Sequence, residues 1–400
     1  MPPVKHKPRL VALMLDLGWP YKRHAGIFAG TQRYAEEQDW ESIIDEFAHN
    51  TLPERRSKSL PYDGIIARAH TQLFKRAKRL GMPVVNVWSS SPVRESLPSV
   101  FPDFTALGRL RAEHLLARGF RNFATITSPK NQGQELEIKE FSRVVEEAGF
   151  RCMTAKVPQN PRRDVAHWRR TEQVIAQCLD TWQLPIGVYA GHEIVGRMIA
   201  QIGHARGWRV PEDVAIIAGQ NEETLCEHPR PSLTSVEFGY ERIGYEAAKL
   251  LHRLMDGRKP PSQPILLPPQ GLVVRESTDF FAVEDAIVAA ALEFISSNSH
   301  RRISIDDVAR TVSAETRTLQ LRFRKFLNRP IATEIRRVRI ERAKRELTQS
   351  NRRLADIARD VGFGEAMRMY EVFRRELGIT PSEYRKQRQL IAKVPSSVAD

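Results

Sequence analysis

The sequence predicts a two-lobed α/β region, with parallel sheets flanked by helices, followed by an all-α region that contains two helix-turn-helix units. From Arg9 to about Leu267, short β-like runs alternate with amphipathic helical segments, which is typical of such sheets. Beyond this region the β-like runs end and helical patterns continue. The positive charge of the chain is concentrated in the helical part. The two regions therefore differ in both fold and surface chemistry.

Short apolar runs and the amphipathic patterns between them define the α/β region. The predicted strands cover residues 11–15, 43–47, 64–67, 84–88, 123–127, 152–157, 187–190 and 214–218. The predicted helices cover residues 25–37, 72–80, 107–118, 135–147, 165–181, 194–206 and 244–255. About 260 residues are too many for a single sheet. The break near 103–108 and the return through 233–238 therefore predict two lobes.

Residues 354–385 have the pattern of a helix, a tight turn and a second, basic helix. Apolar residues at helical spacing lead to Gly362, which can adopt the positive φ that ends a helix, and the stripe resumes at Met369 and Phe373. The outer face of the second helix carries long side chains that core packing does not require, and such a face suits a DNA groove. An αα-hairpin in some other helical domain is the alternative interpretation.

The same pattern occurs a second time upstream, which favours the DNA-binding interpretation. Ser304 and Asp307 match a capping pattern at a helix start, and Ser313 is placed to cap a second helix that holds Leu319 and Phe323. Residues 331–350 are predicted to form a linking helix between the two units. A run of arginines on this helix is expected to face outward: Arg336, Arg337, Arg339, Arg342 and Arg345.

The distribution of charge indicates where nucleic acid would bind. Residues 301–394 hold 24 Lys and Arg against 12 Asp and Glu, so they contribute +12 of the net charge of +14 of the whole chain. A solvated helix face can also carry arginines, but it explains neither their clustering nor the repeated unit. We therefore expect the helical region to bind double-stranded DNA.

Other classes of protein find little support in the sequence. No apolar run approaches the roughly 20 residues of a membrane span, no signal peptide is apparent, and the cysteines lack metal or redox spacing. His192 and Glu193 would need a second His where Gly196 stands to form a zinc-peptidase site. Gly26 and Gly30 lack dinucleotide-binding spacing and indicate close helix packing instead. We expect a soluble, cytoplasmic protein that is not an enzyme, with no cofactor, metal or membrane partner.

The repeated helical units resemble the DNA-binding domain of AraC-family transcription regulators. The resemblance covers roughly residues 283–390 and includes the RTLQ run at 317–320. It implies a sequence-specific reader with two recognition helices. The family signature that closes the second unit is matched at Gly362, Phe363, Phe373, Gly378, Thr380, Pro381, Tyr384 and Arg385.

The α/β region resembles the effector domain shared by LacI-type repressors and periplasmic sugar-binding proteins. DGIIAR at 63–68, GMPVVNV at 81–87, RVPEDVAIIAGQNEE at 209–223 and PSLTSVEF at 231–238 occur in the expected order. The two resemblances imply a periplasmic-binding-protein-like effector domain at 1–278 and an AraC-type DNA-binding domain at 279–394. They also imply a sugar effector, such as xylose or a related pentose. Sugar-sensing members commonly have Asp where this chain has Gln220 and near Gly191-His192, which leaves the identity of the sugar open.

Candidate ligand contacts follow from the geometry of such folds. Ligands of open α/β sheets bind beyond the carboxyl ends of the strands, which in a two-lobed domain places them between the lobes. Sugars need polar groups for their hydroxyls and an aromatic face for their C–H side. Asp16 and Asp103 could instead cap local structure, and Trp88 could belong to a core. The candidates are Asp16, Trp19, Tyr21, Arg23, Arg68, Trp88 and Asp103 in the first lobe, and Gln134, His192, Gln220 and Asn221 in the second.

Candidate DNA contacts lie on helix faces opposite the apolar core positions. Arg337, on the linking helix, is expected to contact phosphate. The candidates are Thr316, Arg317, Gln320 and Arg324 on the first recognition helix, and Glu365, Met367, Arg368, Glu371 and Arg374 on the second.

The sequence therefore predicts a transcription regulator whose binding to operator or promoter DNA is controlled by a small effector. A homodimer is expected from the family resemblance and from the affinity gained when two linked readers bind together. RNA polymerase is a further candidate partner. The alternative function is that of a cytoplasmic sugar-binding protein whose basic C-terminal domain serves another partner.

Overall fold

Two units of different secondary structure make up the chain in the computed structural model, which describes residues 8–18, 22–55, 57, 59–129, 131–158, 163–283, 285–327, 329–350 and 352–389. The first unit comprises Met1–His114 and Asn122–Asp279, and the second comprises Leu115–Arg121 and Phe280–Asp400. The second unit thus takes in residues 115–121, which the sequence analysis assigned to the first domain.

Strands occur in the first unit and form two main sheets. Their bounds are β1 (Leu10–Met14), β2 (Glu41–Ile44), β3 (Gly64–Ala67), β4 (Val84–Asn86), β5 (Val100–Pro102), β6 (Asn122–Thr127), β7 (Cys152–Lys156), β8 (Ile186–Ala190), β9 (Val214–Ile217), β10 (Ser235–Glu237), β11 (Ile265–Leu267) and β12 (Gly271–Val273). The sheet of the first lobe has the order β2-β1-β3-β4, and that of the second lobe has the order β7-β6-β8-β9. All pairs within these two sheets are parallel. β5 pairs with β11 in parallel, and β10 pairs with β12 antiparallel.

Helices flank both sheets and make up the second unit. In the first unit they are α1 (Lys22–Glu37), α2 (Ala48–Thr51), α3 (Thr71–Leu80), α4 (Phe104–Ala117), α5 (Gln132–Glu147), α6 (Val165–Asp180), α7 (Glu193–Ala205), α8 (Glu223–Glu227), α9 (Tyr240–Met255) and a 3-10 turn (Glu276–Thr278). Helix α4 ends within the second unit. The other helices are α10 (Ala286–Asn298), α11 (Ile305–Thr311), α12 (Thr316–Leu327), α13 (Ile331–Gln349), α14 (Leu354–Asp360), α15 (Ala366–Leu377) and α16 (Pro381–Gln389). Among the described residues, no helix is long and apolar enough to cross a membrane.

The predicted fold class is confirmed, and each predicted strand and helix of the α/β region is present with ends shifted by a few residues. Continuous apolar runs explain this success for β1, β3 and β4, which are buried on both faces of the first sheet, whereas the edge strand β2 is mostly exposed. Leu13 and Ile66 belong to the core on one face, while Ala12 and Ile65 belong to the core on the other. The strands that the sequence analysis missed, β5, β11 and β12, are three residues long, too short for a periodic signal.

Helices α1 and α9 approach each other so closely that their backbones touch. A Cβ atom added at Gly30 would lie 1.7 Å from the carbonyl oxygen of Glu241, and one added at Gly244 would lie 1.9 Å from that of Ile27. The hydroxyl of Thr31 also donates to the carbonyl oxygen of Gly244 at 3.3 Å. The prediction that helix packing explains the glycines of α1 is confirmed.

Replacing Gly244 by Ala should lower the free energy of unfolding by about 1 to 3 kcal/mol or more, because the new methyl group would meet backbone atoms that cannot rotate away. Urea unfolding of the full chain measures this change. Gly203→Ala in α7 is the matched control: its Cβ would have no closer neighbour than 3.6 Å, so greater helix propensity should leave stability unchanged or slightly raised. Equal losses in both variants would contradict the packing argument.

Candidate functional site

Three candidate side chains of the first lobe lie together at the carboxyl ends of their strands. Arg68 follows β3, and its guanidinium carbon lies 4.4 Å from the centroid of the Trp88 ring, which follows β4. Its Nη1 lies 4.0 Å from a carboxylate oxygen of Asp16, which follows β1. Burial lowers the pKa of Arg68, and the charge of Asp16 acts in the opposite direction. The arrangement offers a ligand an aromatic face, a cation and a carboxylate.

Arg23 meets the second lobe through Gln220. Its Nη2 donates to the Gln220 side-chain oxygen at 3.3 Å, and its guanidinium carbon lies 5.8 Å from the centroid of the Tyr240 ring. The hydroxyl of Tyr240 donates to the same Gln220 oxygen. Burial raises the pKa of Tyr240, so its hydroxyl stays protonated as a donor. Tyr240 was not among the predicted contacts, although it follows β10 as the other candidates follow their strands.

Asp103 caps helix α4. One of its carboxylate oxygens accepts the backbone N–H of Ala106 at 2.9 Å, and its own N–H donates to the carbonyl oxygen of Leu267. Asp103 is partly exposed, and only one of its carboxylate oxygens takes part in the cap. The capping role and the ligand role are therefore compatible.

Both polar atoms of the Gln134 side chain bond to backbone groups of the protein. Its nitrogen donates to the carbonyl oxygen of Gly191 at 2.6 Å, and its oxygen accepts the N–H of Ser128 at 3.1 Å. A Cβ at position 191 would lie 2.9 Å from the Gln134 nitrogen, so glycine is what allows this approach. Gln134 holds two loops of the second lobe together and is not placed as an open ligand contact.

Asn221 and His192 also have local roles. Asn221 is buried with φ of 57°, its amide nitrogen donates to Glu237 at 3.0 Å, and its oxygen accepts from Arg275 at 2.8 Å. His192 caps α7, where its Nδ1 accepts the N–H of Ile194 at 3.2 Å. Trp19 and Tyr21 lie outside the described residues.

A buried ion pair supports the turn that carries Gln220. Arg111 is fully buried and pairs with Glu137, which also accepts a hydrogen bond from the Tyr189 hydroxyl at 2.7 Å. Arg111 then donates to the carbonyl oxygen of Gly219 at 2.7 Å. Burial raises the pKa of Glu137, and the charge of Arg111 opposes this. Sequence reasoning missed the pair, whose only signal is a charged residue on an otherwise apolar helix face.

Carboxylates missed by the sequence analysis join the start of α1 to the second lobe. Glu222 accepts the backbone N–H of Lys22 at 3.1 Å, and the Lys22 ammonium lies 2.5 Å from Glu237. Glu193, which is buried, accepts the backbone N–H of Gln220 at 2.6 Å. Burial raises the pKa of Glu222 to about 6. Within the described residues, no group of three His, Cys, Asp or Glu could hold a metal ion.

The second unit contains two copies of one helical arrangement, α11 with α12 and α14 with α15. Leu319 and Phe323 of the first copy, and Met369 and Phe373 of the second, are fully buried as predicted. Gly362 forms the left-handed turn of the second copy with φ of 86°, also as predicted. The predicted capping box at the start of α11 is present as well.

Ser313 does not cap α12, so this expectation is wrong. Ser313 has φ of 51° and occupies the left-handed turn of the first copy, where the second copy has Gly362. Helix α12 begins at Thr316, beyond the reach of a cap at position 313. Thr316 is itself half-buried, and its hydroxyl donates to Asp306 of α11 at 2.7 Å.

The outer faces of α12 and α15 are exposed. Two large apolar side chains stand there: Leu321 is 61% exposed and Met367 is 66% exposed. Apolar side chains at such positions suit thymine methyl groups, whereas Arg and Gln suit purine edges. Tyr370, Thr318 and Leu321 were missed by the sequence analysis. The predicted contacts Arg317, Gln320 and Arg324 on α12, and Glu365, Met367, Arg368, Glu371 and Arg374 at α15, are all exposed.

The arginines of α13 whose side chains are described do not simply face outward, as the sequence analysis expected. Arg337 makes two hydrogen bonds, of 2.5 and 3.1 Å, to Glu334, which is fully buried. Arg329 also lies 2.9 Å from Glu334. Burial acts to raise the pKa of Glu334, but these cations lower it, so the carboxylate stays ionised. Arg337 therefore balances a buried charge, which makes it a poor candidate for a phosphate contact.

Arg339 of α13 binds the end of α10 and the loop that leads to the first helical copy. Its guanidinium donates to the carbonyl oxygens of Ser299, Arg301 and Ile303 at 3.2 to 3.4 Å, where α10 and the following loop leave acceptors unpaired. Gly362 packs on the same place: a Cβ there would lie 2.2 Å from the Ser299 carbonyl oxygen and 2.8 Å from the Arg339 Nε. Backbone from the second copy thus packs closely against the backbone at the end of α10.

Comparison with known families matches two parts of the chain. Residues 112–278 match a periplasmic binding protein-like domain, and residues 308–387 match a helix-turn-helix domain. The xylose operon regulatory protein of Escherichia coli K12 is 28% identical over 386 residues, which are 95% of this chain and 97% of that protein. The protein of the same name from Haemophilus influenzae is 27% identical over 94% of this chain and 97% of its own length.

Solved structures agree with these matches. The structure of a xylose-binding transcription activator is 26% identical with a TM-score of 0.56, and the match covers 96% of this chain and 99% of that one. A cellobiose complex of the regulator CelR, 20% identical with a TM-score of 0.53, covers 68% of this chain and 85% of its own and shares the fold of the first unit.

Glu222→Gln should make the protein more stable relative to the parent as the pH rises from 5 to 7. The folded protein holds the Glu222 proton more tightly than the unfolded chain does, so ionisation of this carboxyl between its ordinary pKa and about 6 weakens the folded state. Glutamine has no proton to lose and can still accept the Lys22 N–H. Thermal unfolding of both proteins at each pH gives the difference. A difference that does not change with pH would contradict the assignment.

Arg339→Ala should lower affinity for a DNA duplex carrying both half-sites by about tenfold to a hundredfold, because two loosely joined readers gain less from simultaneous binding. It should also widen the range of half-site spacings that are tolerated. Binding to a series of duplexes with one to three inserted base pairs measures both effects. Arg352→Ala, which removes a surface pair with Glu346 and Asp360, is the control and should leave the spacing preference unchanged. An unchanged spacing preference in Arg339→Ala would refute the joining role.

Proposed function

From a chain that combines a periplasmic-binding-protein-like domain with an AraC-type helix-turn-helix domain, we propose a transcription regulator whose binding to DNA responds to a sugar. The observation that carries this proposal is the similarity to xylose operon regulatory proteins, which extends over 95% of the chain and includes both parts in the same order. When an effector-binding domain and a DNA-binding domain stand in one chain, we expect the first to control the second.

The reader is proposed to place α12 and α15 in successive major grooves. Arg317 and Arg368 are exposed on the outer faces and suit guanine edges, while Met367 suits a thymine methyl group. Arg324 and Arg374, near the ends of their helices, suit phosphates. Gln320, Glu365 and Glu371 are further base contacts, with Thr316 in a supporting position.

The sensor is proposed to bind a sugar among Asp16, Arg23, Arg68, Trp88 and Asp103. These side chains supply the aromatic face, the cations and the carboxylates that sugar recognition requires. Trp19 and Tyr21 are candidates for the same cleft. Gln134, Asn221 and His192 support it by positioning its loops, and Gln220 does so by holding Arg23.

Control is proposed to work by a shift between open and closed lobes. Lys22 already joins α1 to Glu222 of the second lobe, so a ligand that binds both lobes favours the closed arrangement. A coupling of about 1 to 3 kcal/mol would change DNA affinity roughly 5- to 150-fold. A homodimer, a cytoplasmic location and contact with RNA polymerase are part of the same proposal. Catalysis has no part in it.

The full chain should select a defined sequence from randomised DNA duplexes, with an affinity that falls steeply with salt. With about 6 phosphate contacts, the logarithm of the binding constant should fall with the logarithm of salt concentration at a slope near −5. Arg317→Ala should lose about 1 to 3 kcal/mol on the selected site and relax preference at one base pair. A sugar screen by thermal shift, repeated with the selected DNA, tests the response. Sugar binding without binding to any duplex would favour the alternative, a sugar-binding protein.

A further inference from the structure

The direct contacts of Arg23 are with neutral groups, although the buried carboxylate of Glu137 also attracts it from a distance. Among the described residues, no carboxylate lies within ion-pairing distance of its guanidinium, whose recorded contacts are the Gln220 amide oxygen and the Tyr240 ring. The first turn of α1 contains no acidic residue, so Arg23 stands at the positive end of the helix dipole, where a cation is disfavoured. Its neighbour Lys22 differs, because Glu237 neutralises its ammonium at 2.5 Å.

The nearby carboxylates of the second lobe are already engaged. Glu222 accepts the Lys22 backbone N–H, and Glu237 accepts from both the Lys22 ammonium and the Asn221 amide. Glu193 accepts the backbone N–H of Gln220. None of these three carboxylates forms an ion pair with Arg23, and Glu137 is already paired with Arg111.

A second cation stands on the same side of the cleft. Arg68 lies against the Trp88 ring, and the nearest recorded carboxylate, that of Asp16, is 4.0 Å away, at the limit of an ion pair. Burial lowers the pKa of Arg68, and the positive charge of Arg23 lowers it further, so the two guanidinium groups are close enough to repel each other. Asp16 therefore faces Arg68 at the limit of an ion pair, and among the described residues no carboxylate pairs with Arg23.

We propose that the effector is a sugar acid, whose carboxylate pairs with Arg23, and that Gln220 determines this preference for an anion over a neutral sugar. This deepens the proposed function and rests on it. The planar guanidinium offers parallel N–H donors that match a carboxylate, and a charged partner relieves both its repulsion with Arg68 and its unfavourable place at the start of α1. The Trp88 ring is left to cover the sugar carbons.

Gln220 is the neutral partner of the Arg23 guanidinium. Its side-chain oxygen accepts from two donors, Arg23 and the Tyr240 hydroxyl. A glutamate in the same place would keep the length of the side chain and both accepted hydrogen bonds. It would add one negative charge at the present Arg23 contact and so neutralise the cation that the ligand carboxylate needs. Gln220→Glu is therefore a test of charge at nearly constant shape.

The test compares each neutral sugar with its acid: D-galactose with D-galacturonate, which keeps the ring, and D-xylose with D-xylonate and D-glucose with D-gluconate, in which oxidation of C1 opens it. Titration calorimetry on the full chain at neutral pH, in a buffer free of carboxylates, should give tighter binding of the acid in at least one pair, by about tenfold to a hundredfold. Arg23→Ala should lose this advantage. Gln220→Glu should reverse it, weakening the acid and strengthening the neutral sugar. Arg33→Gln, on the same helix but paired with Glu37, should behave like the parent.

The outcomes distinguish failure of the sugar-acid proposal from failure of the proposed sugar-responsive regulator. Tighter binding of the neutral member in the parent would overturn the sugar-acid assignment and leave the proposed sugar-responsive regulator standing. An acid preference that survives Gln220→Glu would overturn the role of Gln220. Glucose 6-phosphate binding more tightly than gluconate would overturn the carboxylate in favour of a phosphate. No binding in any pair would overturn both this inference and the sugar response, while selection of DNA would still test the reader.

Discussion

The contact between the backbones of α1 and α9 sets the position of residues at the proposed effector cleft. Gly30 and Gly244 let the two helices run side by side in the same direction, so their first turns, which begin at Lys22 and Tyr240, lie next to each other. This places Arg23 beside the ring of Tyr240. A slip of one helical turn would move these groups by about 5.4 Å and separate them. The geometry of the cleft therefore depends on two glycines that no ligand would touch.

The DNA-binding unit uses a similar contact for a different purpose. Gly362 brings the second helical copy onto the carbonyl oxygen of Ser299, and Arg339 fastens the same carbonyl. Side chains can change rotamer to relieve a poor fit, whereas backbone atoms in contact cannot. Contact between main chains therefore holds the second copy firmly against the end of α10.

The sequence predicted the elements well and the use of individual polar groups less well, for physical reasons. Strands buried on both faces leave continuous apolar runs, and strand ends place Asp16, Arg68 and Trp88 near the cleft. Asn221 has the right chemistry for a sugar, but Glu237 and other residues distant in sequence occupy its donors and acceptor. Whether such an amide binds a ligand or bonds to other residues of the chain depends on its neighbours in the folded structure.

Arg337 illustrates the same limit for charged residues. Helical periodicity predicts that Arg337 faces away from the core, yet its side chain bonds to the buried carboxylate of Glu334. The partner lies three positions earlier on the same helix, so the pairing was visible as a spacing. The burial of Glu334 was not visible, because residues 115–121 and Arg329 complete that part of the second unit.

The inclusion of residues 115–121 in the second unit has a consequence for how the protein is made. Arg329 donates to the carbonyl oxygen of Ala117, and the N–H of Ala282 donates to that of Arg118. Because the chain is synthesised from its N-terminus, the carbonyl groups of Ala117 and Arg118 leave the ribosome long before their donors, Arg329 and Ala282. Residues 115–121 continue from α4, most of which belongs to the first unit. Their partners in the second unit are synthesised only with the last part of the chain. The second unit is therefore completed by a segment that was synthesised well before the rest of that unit.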